Sequence, residues 1–229
     1  MNIIFFIKPK FQRGLRVCER VLRFGFFQWL VRPIICLMLG LHIRHRERLP
    51  ELGPAILIAN HNSHLDTMVL MTLFPRRIKK QIRPVAAADY FLKNKILAWF
   101  AQAIIGIIPI HRKLSPSKKN PFAQIQEALD AKQLVIFFPE GSRGEPENLS
   151  ELKRGITHLA KQNPEVPMYP IFLHGLGKAL PKEDSLLVPF VIDVVVGEPL
   201  RWEGDADYLL EMIKMQFATL RKELVIQSW

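Results

Sequence analysis

Several things are scarce or missing in this sequence. It holds two cysteines, Cys18 and Cys36, among 229 residues. That excludes a disulfide-stapled scaffold and a Cys-rich zinc module, and it fits a reducing compartment. No G-x-G-x-x-G follows the apolar run Ala55–Ala59, and no P-loop lysine pattern occurs, so the usual nucleotide fingerprints are absent. There is no internal repeat and no low-complexity tract. No signal peptide is read, because apolar Ile3–Ile7 is too short and Lys8-Pro9-Lys10 follows it. Acid is also scarce: 21 Asp plus Glu against 32 Lys plus Arg, a net charge of +11. The expected partner is anionic: nucleic acid, a membrane surface or a phosphorylated substrate.

What is present suffices for a folded domain. Hydrophobic residues make up 49% of the chain, which can fill a core and excludes overall disorder. The length suits one ordinary domain with one attachment. Residues 1–50 carry ten basic and two acidic side chains, so eight of the eleven net charges lie there. The same stretch holds Ile3–Ile7, Phe24, Phe26, Phe27, Trp29 and Ile34–Leu41. Nucleic-acid arms are basic but seldom this apolar, whereas a segment lying in a membrane interface has this composition. The apolar stretch 24–43 is interrupted by Gln28 and by Arg32 beside Pro33. A central arginine costs about 2.5–3.5 kcal/mol on insertion scales, and proline breaks or kinks a helix. The expectation is two helices meeting near Arg32–Pro33 within one leaflet. The alternatives are a single tilted span and a helical hairpin over a soluble core.

The texture changes after Pro50. Strands are expected at Ala55–Ala59, Arg83–Ala87, Ile107–His111, Leu134–Phe138, Met168–Leu173 and Phe190–Val196. Helices are expected at Asp66–Leu73, Lys93–Ile104, Pro121–Gln133, Leu152–Gln162 and Asp205–Gln227. Strands alternating with helices define an α/β fold, a layered, mostly parallel or mixed sheet flanked by helices. The expected division is a basic, apolar, membrane-associating helical segment at 1–48 and an α/β domain at 49–229.

Four segments carry candidate chemistry. Asn60-His61-Asn62-Ser63-His64-Leu65-Asp66 follows a strand and opens a helix, the edge where open α/β sheets bind ligands. His61 can act as a general base, and a loop folding back would put the Asp66 carboxylate on its Nδ1. The same residues also fit a helix cap, or a metal site using His61, His64 and Asp66. Gly106-Ile107-Ile108-Pro109-Ile110-His111-Arg112 delivers Arg112 at a strand end, suited to phosphate or simply to solvent. Phe138-Pro139-Glu140-Gly141-Ser142-Arg143-Gly144 offers backbone N–H groups from Gly141 and Ser142 with the fixed charge of Arg143. Glu140 can accept from a hydroxyl or orient Arg143, and Lys153 can add charge. The rival reading is an ordinary loop with a surface ion pair. Val166–Gly175 reads as a rigid apolar wall or a plain core strand.

Together, in this order and spacing, the four segments resemble the motifs of the glycerolipid acyltransferases, most closely the 1-acylglycerol-3-phosphate acyltransferase family. N-H-x-x-x-x-D matches Asn60, His61 and Asp66; G-x-x-x-I-x-R matches Gly106, Ile110 and Arg112; F-P-E-G-[ST]-R matches Phe138 through Arg143. Val166–Pro170 is similar to the proline-rich fourth motif. The sequence departs at His111, where the family often has Asp, and at Pro109, where Phe is frequent. The resemblance implies acyl transfer from acyl-CoA or acyl-carrier protein to a lysophospholipid hydroxyl, most directly 1-acylglycerol-3-phosphate giving phosphatidic acid. It implies His61 as base oriented by Asp66, with Arg112, Arg143 and Lys153 holding the acceptor phosphate. A thioester is already activated, so neither an enzyme nucleophile nor a metal or other cofactor is expected. The expected partners are membrane lipids, not nucleic acid, and the expected place is the cytoplasmic face of a membrane. The competing expectations are another lysolipid acceptor such as a lyso-ornithine lipid, an inactive peripheral membrane protein, and a metal-dependent hydrolase.

Overall fold

The computed structural model describes residues 18–91, 94–110, 120–144, 148–180 and 188–226. Seven strands form one sheet in the order β1-β7-β6-β2-β5-β3-β4. They are β1 Leu39–Arg44, β2 Ala55–Ala59, β3 Ile82–Ala87, β4 Ile108–Ile110, β5 Leu134–Phe137, β6 Met168–His174 and β7 Phe190–Val196. From β6 to β4 every neighbouring pair is parallel. β7 runs antiparallel to β6, and β1 runs parallel to β7. The sheet is therefore mixed, with a five-strand parallel centre. β2 and β5 are buried on both faces, which is why AILIA and LVIF are uninterrupted apolar runs.

Helices cover both faces. On one lie α1 (residues 18–38), α2 Asp66–Thr72, α4 Lys95–Trp99 and α7 Leu176–Ala179. On the other lie α5 Ala123–Asp130, α6 Gly155–Gln162 and α8 Ala206–Ile226. The short α3, Ala88–Phe91, follows β3. Asn94 caps α4 by accepting from the N–H groups of Ile96 and Leu97, and the helix continues as a wider turn over Phe100–Ile105. Gly106 then closes it at φ 87°, the left-handed conformation that favours glycine. The glycine of the second motif thus serves as a helix stop.

Two expectations for the N-terminal stretch are corrected. Residues 18–38 form one continuous helix rather than two meeting at Pro33. The helix widens to π turns at Phe26–Val31 and Ile34–Met38, on either side of Arg32–Pro33. Arg32 N–H reaches back to the Phe27 carbonyl, so the looser spiral accommodates the imide without a break. The stretch then leaves the helix at Leu39, not Ile43. Leu39–Arg44 is an edge strand beside β7, with Leu39, Leu41 and Ile43 alternating inward. Part of the basic N-terminal stretch is therefore built into the sheet. Phe27, Val31 and Ile35 of α1 pack on the core, while Val21, Leu22, Trp29, Leu30 and Leu37 are exposed. Among the described residues, no helix is long and apolar enough to cross a membrane.

Candidate active site

The first motif begins where β2 ends. Asn60 is buried, and its amide bridges to β6 in both directions: Nδ2 donates to the Leu173 carbonyl at 2.8 Å, and Oδ1 accepts Leu173 N–H at 2.7 Å. The side chain thus continues the ladder past the last strand residue and fixes where the loop departs. Ser63 adds a second anchor, its hydroxyl donating to the Leu180 carbonyl at 3.1 Å.

Asp66 opens α2 and is fully buried. Its Oδ2 accepts the backbone N–H groups of Asn62 (2.7 Å) and Ser63 (2.9 Å) and lies 2.8 Å from His61 Nδ1. The loop folds back as the five-residue spacing allows. A carboxylate is acceptor-only, so the Nδ1 of His61 carries the proton and Nε2 is left with a free lone pair. The His61 ring stacks on Phe138 with centroids 4.1 Å apart, and its side chain remains about one-fifth exposed. It is therefore positioned yet reachable.

The third motif joins the first through Glu140. Its side chain is turned inward and buried. Oε1 accepts His61 N–H at 2.7 Å and Oε2 accepts Ser150 N–H at 2.8 Å. Gly144 N–H in turn donates to the His61 carbonyl at 3.0 Å. A Cβ on Gly144 would meet Ser150 Oγ at 2.5 Å, so a larger residue here requires the Ser150 side chain to move. Burial pushes the Glu140 carboxyl up from its ordinary value, against the opposing pull of the two N–H donors.

Gly141, at φ 71°, and Ser142 lie exposed on the loop. Arg143 is half-buried, and its Nη1 is buried with no partner among the described residues. Its charge reaches His64, whose imidazole is held below the ordinary value by burial first and then by Arg143 and His61. Lys153 stands beside Gly141 and pairs with Glu151 at the surface. Asn62 is buried, and neither its amide atoms nor Asp66 Oδ1 has a partner among the described residues. His111 and Arg112 lie outside the described residues, as do residues 1–17. The structure thus brings His61, Asp66, Glu140 and Arg143 to one edge, with Gly141, Ser142 and Lys153 along the loop. Among the described residues no three His, Cys, Asp or Glu side chains are arranged to hold a metal ion.

Sequence reading missed three contributors: Asn60 as a bridge, Phe138 as a stacking platform, and Glu140 as the clamp on the His61 backbone. For Asn60 the available signal was a polar residue directly ending the apolar run Ala55–Ala59.

With this geometry in hand, the chain belongs to the Acyltransferase family, which it matches over residues 40–174, more than half its length. It is 30% identical over 183 residues to a 1-acyl-sn-glycerol-3-phosphate acyltransferase of Chlamydomonas reinhardtii, covering 79% of this chain and 53% of that protein. It is 28% identical over 180 residues to a chloroplastic 1-acyl-sn-glycerol-3-phosphate acyltransferase of Arabidopsis thaliana, covering 78% of this chain and 48% of that protein. The chain therefore spans about half the length of these relatives. Its fold is similar to that of the 1-acyl-sn-glycerophosphate (LPA) acyltransferase PlsC from Thermotoga maritima. The TM-score is 0.69 at 15% identity, covering 98% of this chain and 85% of the other.

Proposed function

We propose that this protein transfers a fatty acyl group from acyl-CoA or acyl-carrier protein to the free hydroxyl of 1-acylglycerol-3-phosphate, giving phosphatidic acid. The observation that carries the reading is the His61 Nδ1–Asp66 Oδ2 contact of 2.8 Å, with the carboxylate buried and held by two backbone N–H groups. His61 Nε2 takes the hydroxyl proton as that oxygen attacks the thioester carbonyl. Asp66 stabilises the imidazolium that forms. The tetrahedral intermediate collapses, the C–S bond breaks, and the imidazolium returns its proton to the departing thiolate. No acyl-enzyme is needed. Arg143, with Arg112 and Lys153, supplies the positive charge for the acceptor phosphate.

The protein works at a membrane surface on this reading. Supporting it are the exposed apolar side chains of α1, with Trp29 77% and Leu37 84% exposed, and the excess of basic residues beside them. High salt alone should then release little protein from membranes and detergent should release all of it, because salt screens only the charge contribution.

A thiol-release assay with acyl-CoA and acyl-carrier protein as donors, against several lysolipid acceptors, tests the activity. Release that depends on 1-acylglycerol-3-phosphate supports the proposal. Release that responds only to another lysolipid moves the assignment to that acceptor, and none with any acceptor overturns it.

A further inference from the structure

The described surface holds a second group of charged side chains that the acyl-transfer chemistry does not use. Between Pro75 and Pro84 the chain carries Arg76, Arg77, Lys79, Lys80 and Arg83 and no acid. Arg23 and Arg32 of α1 face this segment. Arg23 Nη2 donates to the Lys79 carbonyl at 2.8 Å, and Arg83 Nε donates to the Gly106 carbonyl at 2.8 Å. Arg23 Nη1 lies against Gly106, 3.1 Å from where a Cβ would stand. Lys79 Nζ sits over the Phe27 ring and the Arg76 guanidinium over the Phe24 ring, at 5.5 and 5.3 Å. Arg76 also bonds Gln28.

The cations are held in place by carbonyls and rings, not by opposite charge. Among the described residues, Arg23, Arg32, Arg76, Lys79 and Arg83 have no carboxylate partner. Arg23 Nε is buried with no partner among the described residues. Burial, then the like charge of Arg83, holds the Arg23 guanidinium below its usual value. Burial, then Arg32 and Arg76, does the same to Lys79, and burial alone to Arg83. Partly desolvated cations that repel one another cost stability unless an anion meets them. Guanidinium groups in fixed orientations suit phosphate oxygens.

Position separates this cluster from His61. Lys79 precedes β3 and Gly106 precedes β4, so the cluster lies at the amino edge of the parallel strands. His61 lies at their carboxyl edge, about 15–20 Å away for strands of this length. α1 crosses between the two edges, from Arg23 at one to Leu39 and β1 at the other. Its exposed side chains include Leu22, Phe24, Trp29, Leu30 and Leu37, so an anion bound at Arg23 shares a surface with side chains that favour acyl chains.

We propose that Arg23, Lys79 and Arg83, flanked by Arg32 and Arg76, form a binding site for the phosphate of an anionic membrane lipid that is not the reacting substrate. The choice of a lipid as the source of that phosphate rests on the membrane reading above. Occupied together with the apolar face of α1, the site fixes how the protein lies on the bilayer.

Flotation with vesicles of phosphatidylcholine, with and without phosphatidylglycerol, tests it on the full chain. Arg76→Gln with Lys79→Gln should weaken binding to the anionic vesicles by about 25-fold, at roughly fivefold per basic residue removed. Lys161→Gln with Arg221→Gln removes the same charge from helices on the opposite face and should change binding by less than about twofold. Arg23→Lys keeps the net charge but loses the planar fork, and should also weaken binding. Equal losses in the two double variants, or an unaltered Arg23→Lys protein, overturn a built site in favour of diffuse attraction. Thermal melting of each variant separates lost binding from lost folding, and Arg23→Lys decides if the double variant fails to fold. Inorganic phosphate alone is the other arm. If it raises the wild-type melting temperature but not that of Arg76→Gln with Lys79→Gln, while vesicle binding is unaltered, the ligand is free phosphate and the lipid assignment falls. Vesicle binding involves no acyl transfer, so these results stand apart from the fate of the His61 mechanism.

Discussion

The two ends of the parallel strands handle charge in opposite ways. At the carboxyl end, carboxylates are buried among N–H donors. Asp66 holds three and Glu140 two, and four of the five come from the backbone. At the amino end, half-buried cations rest on carbonyls and aromatic rings, with no carboxylate partner among the described residues. The first arrangement holds the His61 loop through a web of N–H groups. The second gathers like charges that, on the proposal above, an anion would meet. The two edges of one sheet thus treat charge in opposite ways.

The sharpest way to break this contrast is at the carboxyl end. His61→Ala should reduce transfer to background in the thiol-release assay while circular dichroism stays native. Asp66→Asn should lose on the order of 10³–10⁴-fold, because the wrong tautomer is then favoured. A His61→Ala protein that keeps more than a few per cent of the rate would remove the base from His61. Arg143→Ala comes next, with an expected rise of about 10- to 100-fold in KM for the phosphate-bearing acceptor, since a charge-assisted contact contributes about 1.5–3 kcal/mol. The KM for the acyl donor should move less, and equal movement of both would count against an acceptor-phosphate role. Asn60→Ala cuts both bonds to Leu173 and should cost about 1–3 kcal/mol of stability, read in a urea melt.

Glu140 offers a pH test. Its folded-state value is raised, so between the ordinary glutamate range and that raised value the native state binds more proton than the unfolded chain. Its contribution to stability therefore falls as pH rises through that window and is level above it. Glu140→Gln should flatten that part of the melting-temperature profile, and an unaltered slope would place the titration elsewhere. The smallest effect is expected at the amino end. Lys79→Met keeps the stem on Phe27 and relieves repulsion, so stability should not fall by more than about 0.5 kcal/mol. A larger loss would mean the ammonium is structural, erasing the contrast.

The parallel centre of the fold was legible because doubly covered strands must be apolar throughout, as β2 and β5 are. β1 was not, since LGLHIR adjoins an apolar helix with no turn residues between them and its alternation is short. Pro33 misled for a related reason: widened turns absorb the missing N–H, a tertiary outcome that the residue type does not announce. In the site, His61 and Asp66 were legible because five residues in a loop can close on themselves. The inward turn of Glu140 and the bridge from Asn60 were not, for each depends on a partner far away in sequence. The basic group at 76–83 was not legible either, because only the packing of α1 brings Arg23 and Phe27 against it.

The bridge from Asn60 reaches Leu173, 113 residues on, and the clamp from Glu140 to His61 spans 79. Such separations put the site among the late events of folding, since long loops must close before these bonds form. During synthesis, the His61 loop emerges early but lacks its Asn60 bridge until β6 has left the ribosome. Nascent chains shorter than that hold both His61 and Asp66 and should lack transfer activity. Activity recovered during refolding should accordingly track the slowest structural phase rather than precede it.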